Sequence, residues 1–327
     1  MRSLADNYGR DFHYLRLSIT EACNFSCVYC LPNGYQKSEN CSPPLTLSEI
    51  KNLINAFAKL GFWKVRLTGG EPTTRRDLLE IARCVSETPG IRQVGITTNG
   101  YRLPQLARPL RNAGVSLLNV SVDSLDSERF SMITGQDRLK EVLSGIETAF
   151  DEGFEKIKIN VVLMKEKTDC EWEVFLAWVK NSSLTIRFIE LMPTGKNQKL
   201  FREHHLSAGY LRLQLLKSGW KMESRTAGSG PAVNFVHPNY KGRIGLIAPY
   251  SQDFCQTCNR LRVTSTGGLR LCLFGDQDYS LRPLLQSDKQ QEPLILTLQN
   301  LMKHKASSHF LQENNYGNNQ TFSAIGG

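Results

Sequence analysis

The chain reads as an α/β protein, a partial, open TIM-like barrel of six β/α units followed by a smaller C-terminal α+β region. Three observations predict this. Apolar, β-rich runs alternate with helical stretches up to about residue 191, and such alternation argues for a parallel sheet with right-handed crossovers. Six units are fewer than the eight of a closed barrel, so an open partial barrel and a doubly wound sheet both fit. After about residue 218 the alternation stops, which separates a core, residues 1–218, from a C-terminal region, residues 219–327.

In order, strands are expected at Leu15–Ile19, Trp63–Thr68, Gln93–Thr97, Leu117–Val122, Lys156–Leu163 and Thr185–Leu191. Helices are expected near 46–60, 77–87, 104–112, 138–152 and 169–180. Thr46 with Glu49 three residues on makes a capping box for the first helix, and Asp77 is placed to cap the second. In the C-terminal region SRTAGSGPAVNF reads as loop and HPNYKGRIGLIAP as a punctuated strand. RLRVTSTGGLRLCLF reads as a hairpin turning at Gly267–Gly268, and a helix follows over Leu294–Lys305. The polar, Gly/Asn-rich end, NNYGNNQTFSAIGG, is by default a frayed tail.

The 327 residues are 40% hydrophobic and 22% charged, an ordinary globular composition. No stretch approaches the roughly 20 apolar residues of a membrane helix, so no membrane association is expected. MRSLADNYGRDF has no apolar h-region of a secretory signal. Six of the nine Cys fall into tight spacings, which suggests metal binding in a reducing compartment. A cytoplasmic location is expected, or the mitochondrial matrix in a eukaryote. The net charge of +9 fits either a solvated basic surface or a polyanionic ligand. No groove-reading motif or aromatic-interleaved basic stripe is present, so nucleic acid is not the expected partner.

Cys23, Cys27 and Cys30 stand in CNFSCVYC, directly after the first expected strand. On a barrel that is the C-terminal mouth, where active sites are built. Cys255, Cys258 and Cys272 form a second triplet far down the chain. Each set is one short of a closed site, because structural zinc takes four protein ligands and iron–sulfur clusters normally four thiolates. Zinc is the plainer reading of the spacing, but no fourth Cys or His lies at ligand distance from the first set, and His13 precedes the strand. Three Cys on a four-iron cube leave one iron open to a reacting molecule. Two open cubes suggest a cofactor on one and a substrate on the other.

CNFSCVYC together with GGEP at Gly69–Pro72 resembles the radical S-adenosylmethionine enzymes. With the second triplet, and with LRLSITEACN, KVRLTGGEP, GITTNG, LNVSVDS, KIKINVV, RFIELMPTG and CNRLRVT–GGLRLCLFG in that order, the chain is similar to the GTP 3′,8-cyclase family of molybdenum cofactor biosynthesis, from about Asp11 to Ser287. The resemblance implies two [4Fe-4S] clusters, held by Cys23, Cys27 and Cys30 and by Cys255, Cys258 and Cys272. S-adenosylmethionine would chelate the open iron of the first cluster and be contacted by Tyr29, Gly70, Ser121 and Met192. GTP would be held by Arg16, Arg66, Thr97, Lys158, Arg260, Leu261 and Arg262, its guanine on the second cluster. Arg16, Lys158 and the terminal Gly326 and Gly327 carry over as catalytic positions. In the family reaction a 5′-deoxyadenosyl radical removes hydrogen from C3′ of GTP, and the C3′ radical closes onto C8 of guanine. The resemblance also implies a homodimer, a reductant protein, and cyclic pyranopterin monophosphate synthase as downstream partner. The residues before the final glycines, NNYGNNQTFSA, and EAC before the first asparagine depart from the family pattern.

Each position has a plainer reading. Arg16, Arg66 and Lys158 are candidates for surface charges, yet each lies in a largely apolar strand, where an inward cation needs an anionic partner. Arg260 and Arg262 alternate with Leu261 and Val263 and so share one strand face, where guanidinium forks suit phosphate oxygens. Ser121 and Asp123 are also candidates for helix caps, Thr97 for a turn and Met192 for core packing. Another radical S-adenosylmethionine enzyme with an auxiliary cluster, such as a peptide maturase, is the alternative. An electron-transfer or zinc-ribbon module explains the Cys but not GGEP or the strand cations.

Overall fold

A computed structural model describes residues 4–37, 42–225, 228–275, 277–313, 317 and 321–325. Six strands lie side by side in chain order and parallel: β1 (Tyr14–Ser18), β2 (Lys64–Thr68), β3 (Gln93–Thr98), β4 (Val115–Ser121), β5 (Ile157–Leu163) and β6 (Thr185–Glu190). All six stand within two residues of their expected ends. The crossovers carry α1 (Leu47–Lys59), α2 (Leu78–Glu87), α3 (Leu103–Asn112), α4 (Ser127–Thr134), α5 (Leu139–Asp151) and α6 (Trp172–Asn181). α4 has no counterpart in the sequence reading. Its eight residues hold two buried apolar side chains, Phe130 and Ile133, too few to show a period. Its ends are nevertheless well specified, since Asp126 accepts from the Arg129 N–H and Gly135 closes it at φ 70°.

The rest of the chain adds α7 (Gln198–His204) and α8 (Ala208–Lys217), then β7 (Lys221–Met222), β8 (Val233–Val236), β9 (Arg243–Ile247), β10 (Arg260–Val263), β11 (Gly268–Arg270) and β12 (Tyr279–Ser280), and α9 (Gln291–Leu301). These strands extend the core sheet at both edges. β9 runs parallel to β6, with β8 and β7 beyond it, and β10 runs parallel to β1, with β11 and β12 beyond it. The order β12-β11-β10-β1-β2-β3-β4-β5-β6-β9-β8-β7 does not close on itself. In a flat sheet β10 and β6, six spacings of about 4.8 Å apart, would stand roughly 29 Å from each other. Arg260 of β10 and Arg187 of β6 line the same cavity, so the sheet curls into an open barrel.

Strand alternation sorts the side chains. On β5, Ile157, Ile159, Val161 and Leu163 are buried in the core, and Lys158 and Asn160 take the other face. The expected capping box is present: Thr46 Oγ1 accepts from Glu49 N (3.2 Å) and Glu49 accepts from Thr46 N (2.8 Å). Glu49 also takes Arg282 at 2.8 Å, tying α1 to the C-terminal region. Thr46→Ala is expected to cost about 1 kcal/mol in chemical denaturation. Asp77 sits at the N-cap of α2 but its carboxylate is held by Arg75 (2.7 and 3.0 Å), so it does not cap. The described part of the tail is packed instead of frayed. Phe322 and Ile325 are buried against Phe274 and Leu311. Gly326 and Gly327 lie outside the described residues, as does the isolated Cys41.

Candidate active site

The first triplet sits on the loop that leaves β1, facing a cavity at the C-terminal ends of the strands. Cys30 N and Leu31 N both donate to Cys27 O at 2.9 Å, which folds Cys27–Cys30 into one turn. The C-terminal end of α4 anchors the loop, with Ser26 N on Thr134 O and Val28 N on Ile133 O, each 2.9 Å. Tyr29 donates to Asp123 Oδ2 at 2.7 Å, and Asp123 Oδ1 accepts from Val162 N at 2.8 Å. A Cβ on Gly70 would fall against the carbonyls of Ala22 and Glu21, so this glycine is required by the Cys-bearing loop itself. The buried Glu71 of GGEP accepts from Thr73, Thr98 and Asn99, fastening that turn to the end of β3. Burial pushes the thiol of Cys23 up to about 11, that of Cys30 up to about 12 and that of Cys27 well above its ordinary value, with Glu71 adding to the shift of Cys23, and Asp123 and neighbouring thiols to those of Cys27 and Cys30. Three thiols in this setting need positive charge to become thiolates, which a bound metal cluster supplies. Among the described residues no three His, Cys, Asp or Glu close on a single ion. In a cube each thiolate takes its own iron, so the set need not converge on one point.

The second triplet faces an adjoining cavity. Seven basic side chains line it: Arg16 of β1, Lys64 and Arg66 of β2, Lys158 of β5, Arg187 of β6, and Arg260 and Arg262 of β10. No Asp or Glu lines it among the described residues. Strand register sets three of the arginines in a row, Arg262 opposite Arg16 and Arg16 opposite Arg66. The next residue in that row is Gly95, where a Cβ would lie 2.8 Å from the Arg66 guanidinium, so a glycine here gives Arg66 its space. Like charges directly opposite on neighbouring strands are destabilising. Burial first, then neighbouring cations, lowers Lys158 to about 7 and Arg187 and Arg262 to about 9. Asn119 Oδ1, Arg187 Nε and Arg262 Nε are buried without a hydrogen-bond partner. Buried polar atoms normally have one; the two guanidinium Nε groups are donors that suit an anion, and Asn119 Oδ1 is an acceptor that suits a ligand donor. Beside the thiols, Arg10 donates to Cys255 O at 3.1 Å and the buried Lys305 to Leu271 O. Burial would raise the Cys258 thiol, but Arg260 and Lys305 outweigh it and lower it to about 7. The donor set of three thiols, one already biased toward thiolate, fits a second cluster. The two cavities share Asn160, Ile189 and Met192 as a common wall.

Two family models match the chain, the radical SAM superfamily over residues 17–179 and Molybdenum Cofactor Synthesis C over residues 184–311. A curated relative, the GTP 3′,8-cyclase of Yersinia pestis, is 50% identical over 327 residues, covering 100% of both chains. The chain belongs to the GTP 3′,8-cyclase family. Its fold is similar to solved structures of Streptococcus suis SuiB. The form bound to S-adenosylmethionine has a TM-score of 0.60 at 14% identity, covering 88% of this chain and 68% of that one. The form bound to precursor peptide SuiA has a TM-score of 0.58 at 14% identity, covering 88% and 66%. Membership in this radical S-adenosylmethionine family implies a [4Fe-4S] cluster and S-adenosylmethionine.

The cyclase fold brings most of the expected site residues together. Cys23, Cys27, Cys30, Tyr29, Gly70, Ser121 and Met192 line the first cavity. Arg16, Arg66, Lys158, Arg260, Arg262 and the second Cys set line the other. Two expectations change place. Thr97 lines the first cavity, with its hydroxyl buried and unpartnered there, because it stands a full residue pair beyond Gly95 toward the mouth. Leu261 is fully buried and opposes Leu15 in the core, since alternation turns it away from its arginine neighbours. Residue reasoning missed Tyr14, Lys64, Asn119, Asn160 and Arg187. The signal for Arg187 was available in TIRFIEL, a cation inside an apolar strand. It also missed Phe322 and Ser323, which line the first cavity and whose backbone bonds to the Cys30 sulfur.

Proposed function

We propose that this chain converts GTP to (8S)-3′,8-cyclo-7,8-dihydroguanosine 5′-triphosphate by radical S-adenosylmethionine chemistry, an early step of molybdenum cofactor biosynthesis. One observation carries the reading beyond family membership: two three-thiol sites open onto two adjoining cavities, and only the one at the second triplet is walled by in-register arginines. In this reading Cys23, Cys27 and Cys30 hold one [4Fe-4S] cluster, and Tyr29, Gly70, Ser121, Thr97 and Met192 shape the place of S-adenosylmethionine. Cys255, Cys258 and Cys272 hold a second cluster. Arg16, Arg66, Lys158, Arg187, Arg260 and Arg262 take the triphosphate, which removes the like-charge crowding of the strand row. When bound, the first cluster and S-adenosylmethionine supply a 5′-deoxyadenosyl radical. Asn160, Ile189 and Met192, common to both cavities, set how closely the two ligands meet. Phe322 and Ser323, which line the first cavity, exclude water from it, and Gly326 and Gly327 serve catalysis in this reading. A reductant protein, cyclic pyranopterin monophosphate synthase downstream, a homodimeric state and a cytoplasmic location complete the proposal. No helix among the described residues is long and apolar enough to cross a membrane.

The test is anaerobic reconstitution with iron, sulfide, GTP, S-adenosylmethionine and dithionite. The reading expects 5′-deoxyadenosine and cyclised GTP to form together. Deoxyadenosine formation that is indifferent to GTP would overturn it. Deleting Gly326 and Gly327 should leave GTP affinity and S-adenosylmethionine cleavage near parental values. Cyclised product should fall roughly a hundredfold, the scale of loss when reacting groups are misplaced by about an ångström. A truncated chain that cyclises at the parental rate would leave the tail without a role.

A further inference from the structure

The cavity at the second triplet contains one oxygen acid among its described lining residues, the phenol of Tyr14. Tyr14 is 5% exposed, and its hydroxyl oxygen accepts from Arg66 Nε at 2.7 Å. Arg16 also bonds to the Tyr14 side chain. Lys64 Nζ stands 5.0 Å from the centre of its ring. Arg260, on the neighbouring strand, is its register partner. The remaining cavity cations, Arg262, Lys158 and Arg187, face the same space from β10, β5 and β6. His13, the residue before it, is stacked on Trp63 away from this oxygen. No carboxylate answers these charges from the cavity lining. The oxygen that two guanidiniums now share is therefore the acceptor that phosphate oxygens would have to replace.

We propose that Tyr14 is the resident counter-anion of this wall, and that an arriving triphosphate takes Arg16 and Arg66 from it and leaves its oxygen to gain a proton from solvent. The inference rests on the triphosphate reading of the cavity. The ionisation agrees with the geometry. Burial pushes the phenol up, but Arg66, Arg16 and Lys64 outweigh burial and lower it to about 7. At about pH 8.5 Tyr14 is then almost wholly ionised, and GTP is too. Beside a triphosphate the phenolate meets a negative neighbour, and its affinity for a proton rises. A complex that holds more protons than its free parts binds more weakly as pH rises. Lys158, lowered to about 7, gains a proton in the same event, so at about pH 8, where Arg187 and Arg262, lowered to about 9, are still largely protonated, two protons are expected per GTP, one of them belonging to Tyr14.

The experiment is calorimetry of GTP binding to the full-length, anaerobically reconstituted protein between about pH 8 and 9, in buffers of different ionisation enthalpy. Near pH 8 the parental protein should take up about two protons per nucleotide, its affinity falling roughly a hundredfold per pH unit, and Arg187 and Arg262 add the same further uptake to parent and variant toward pH 9. Tyr14→Phe should take up about one, its affinity falling roughly tenfold per pH unit, and it should bind GTP at least as tightly as the parent at the upper end of the range. A purely structural role for Tyr14 would weaken binding at every pH with no change in proton count, and that outcome overturns the inference. Equal proton counts in both proteins overturn it as well while leaving the triphosphate reading intact. Absence of GTP binding by the parental protein overturns both. Iron content and S-adenosylmethionine affinity of the variant establish that it is folded.

Discussion

Replacing Cys27 by Ser is expected to abolish S-adenosylmethionine cleavage, while replacing Cys258 by Ser is expected to leave cleavage measurable and eliminate cyclised product. The two Cys sets line separate cavities, and under the proposed function each thiolate would hold one iron of its cluster. Cys27 has the least room for compromise. It lies in an acidic surround, where burial pushes its thiol well above the ordinary value and Asp123, Cys30 and Cys23 push it further. Against this the Tyr29 side chain offers Cys27 a single hydrogen bond. Iron should fall from about eight to about four atoms per chain in either variant, but the lost activity should differ. Deoxyadenosine measured without and with GTP separates the two. Parental cleavage by the Cys27 variant would end the assignment of the first triplet, and parental cyclisation by the Cys258 variant would end that of the second.

Replacing Arg262 by Ala is expected to weaken GTP by one to two decades in dissociation constant and to leave S-adenosylmethionine affinity unchanged. A charge-assisted hydrogen bond contributes about 1.5–3 kcal/mol, and each 1.4 kcal/mol is about tenfold. Arg262 is 7% exposed, ends the row Arg262–Arg16–Arg66 and has an unpartnered Nε. The same substitution removes a cation from a crowded row, so the ligand-free protein should melt no lower than the parent. Binding and folding thus move in opposite directions. Calorimetry with each ligand and thermal melts with and without GTP check both halves. Equal loss of the two ligands, or a lower melting temperature without ligand, would mean that Arg262 supports the fold and not the nucleotide.

Local chemistry made much of this protein legible in its sequence. Apolar, β-rich runs between helical stretches marked all six parallel strands, because strands of a parallel sheet are buried on both faces. The six clustered Cys, GGEP and the cations within apolar strands pointed to part of the lining of both cavities. α4 was invisible because two buried apolar residues do not define a helical period, although it anchors the loop of Cys23, Cys27 and Cys30. The sorting of residues between cavities was decided by tertiary structure. Thr97 and Leu261 look like members of the nucleotide site in the chain, but height along β3 sends one to the first cavity and strand alternation turns the other into the core. Register across separate crossovers aligned Arg262, Arg16, Arg66 and Gly95, and no local pattern encodes which residues of three distant segments stand opposite one another. Curling of the sheet then brought Arg187 to face that row and left Tyr14 as the one phenol among seven cations. Local sequence thus set the six core strands and the family. Long-range strand pairing alone decided which charges meet, because that pairing depends on packing between segments far apart in the chain.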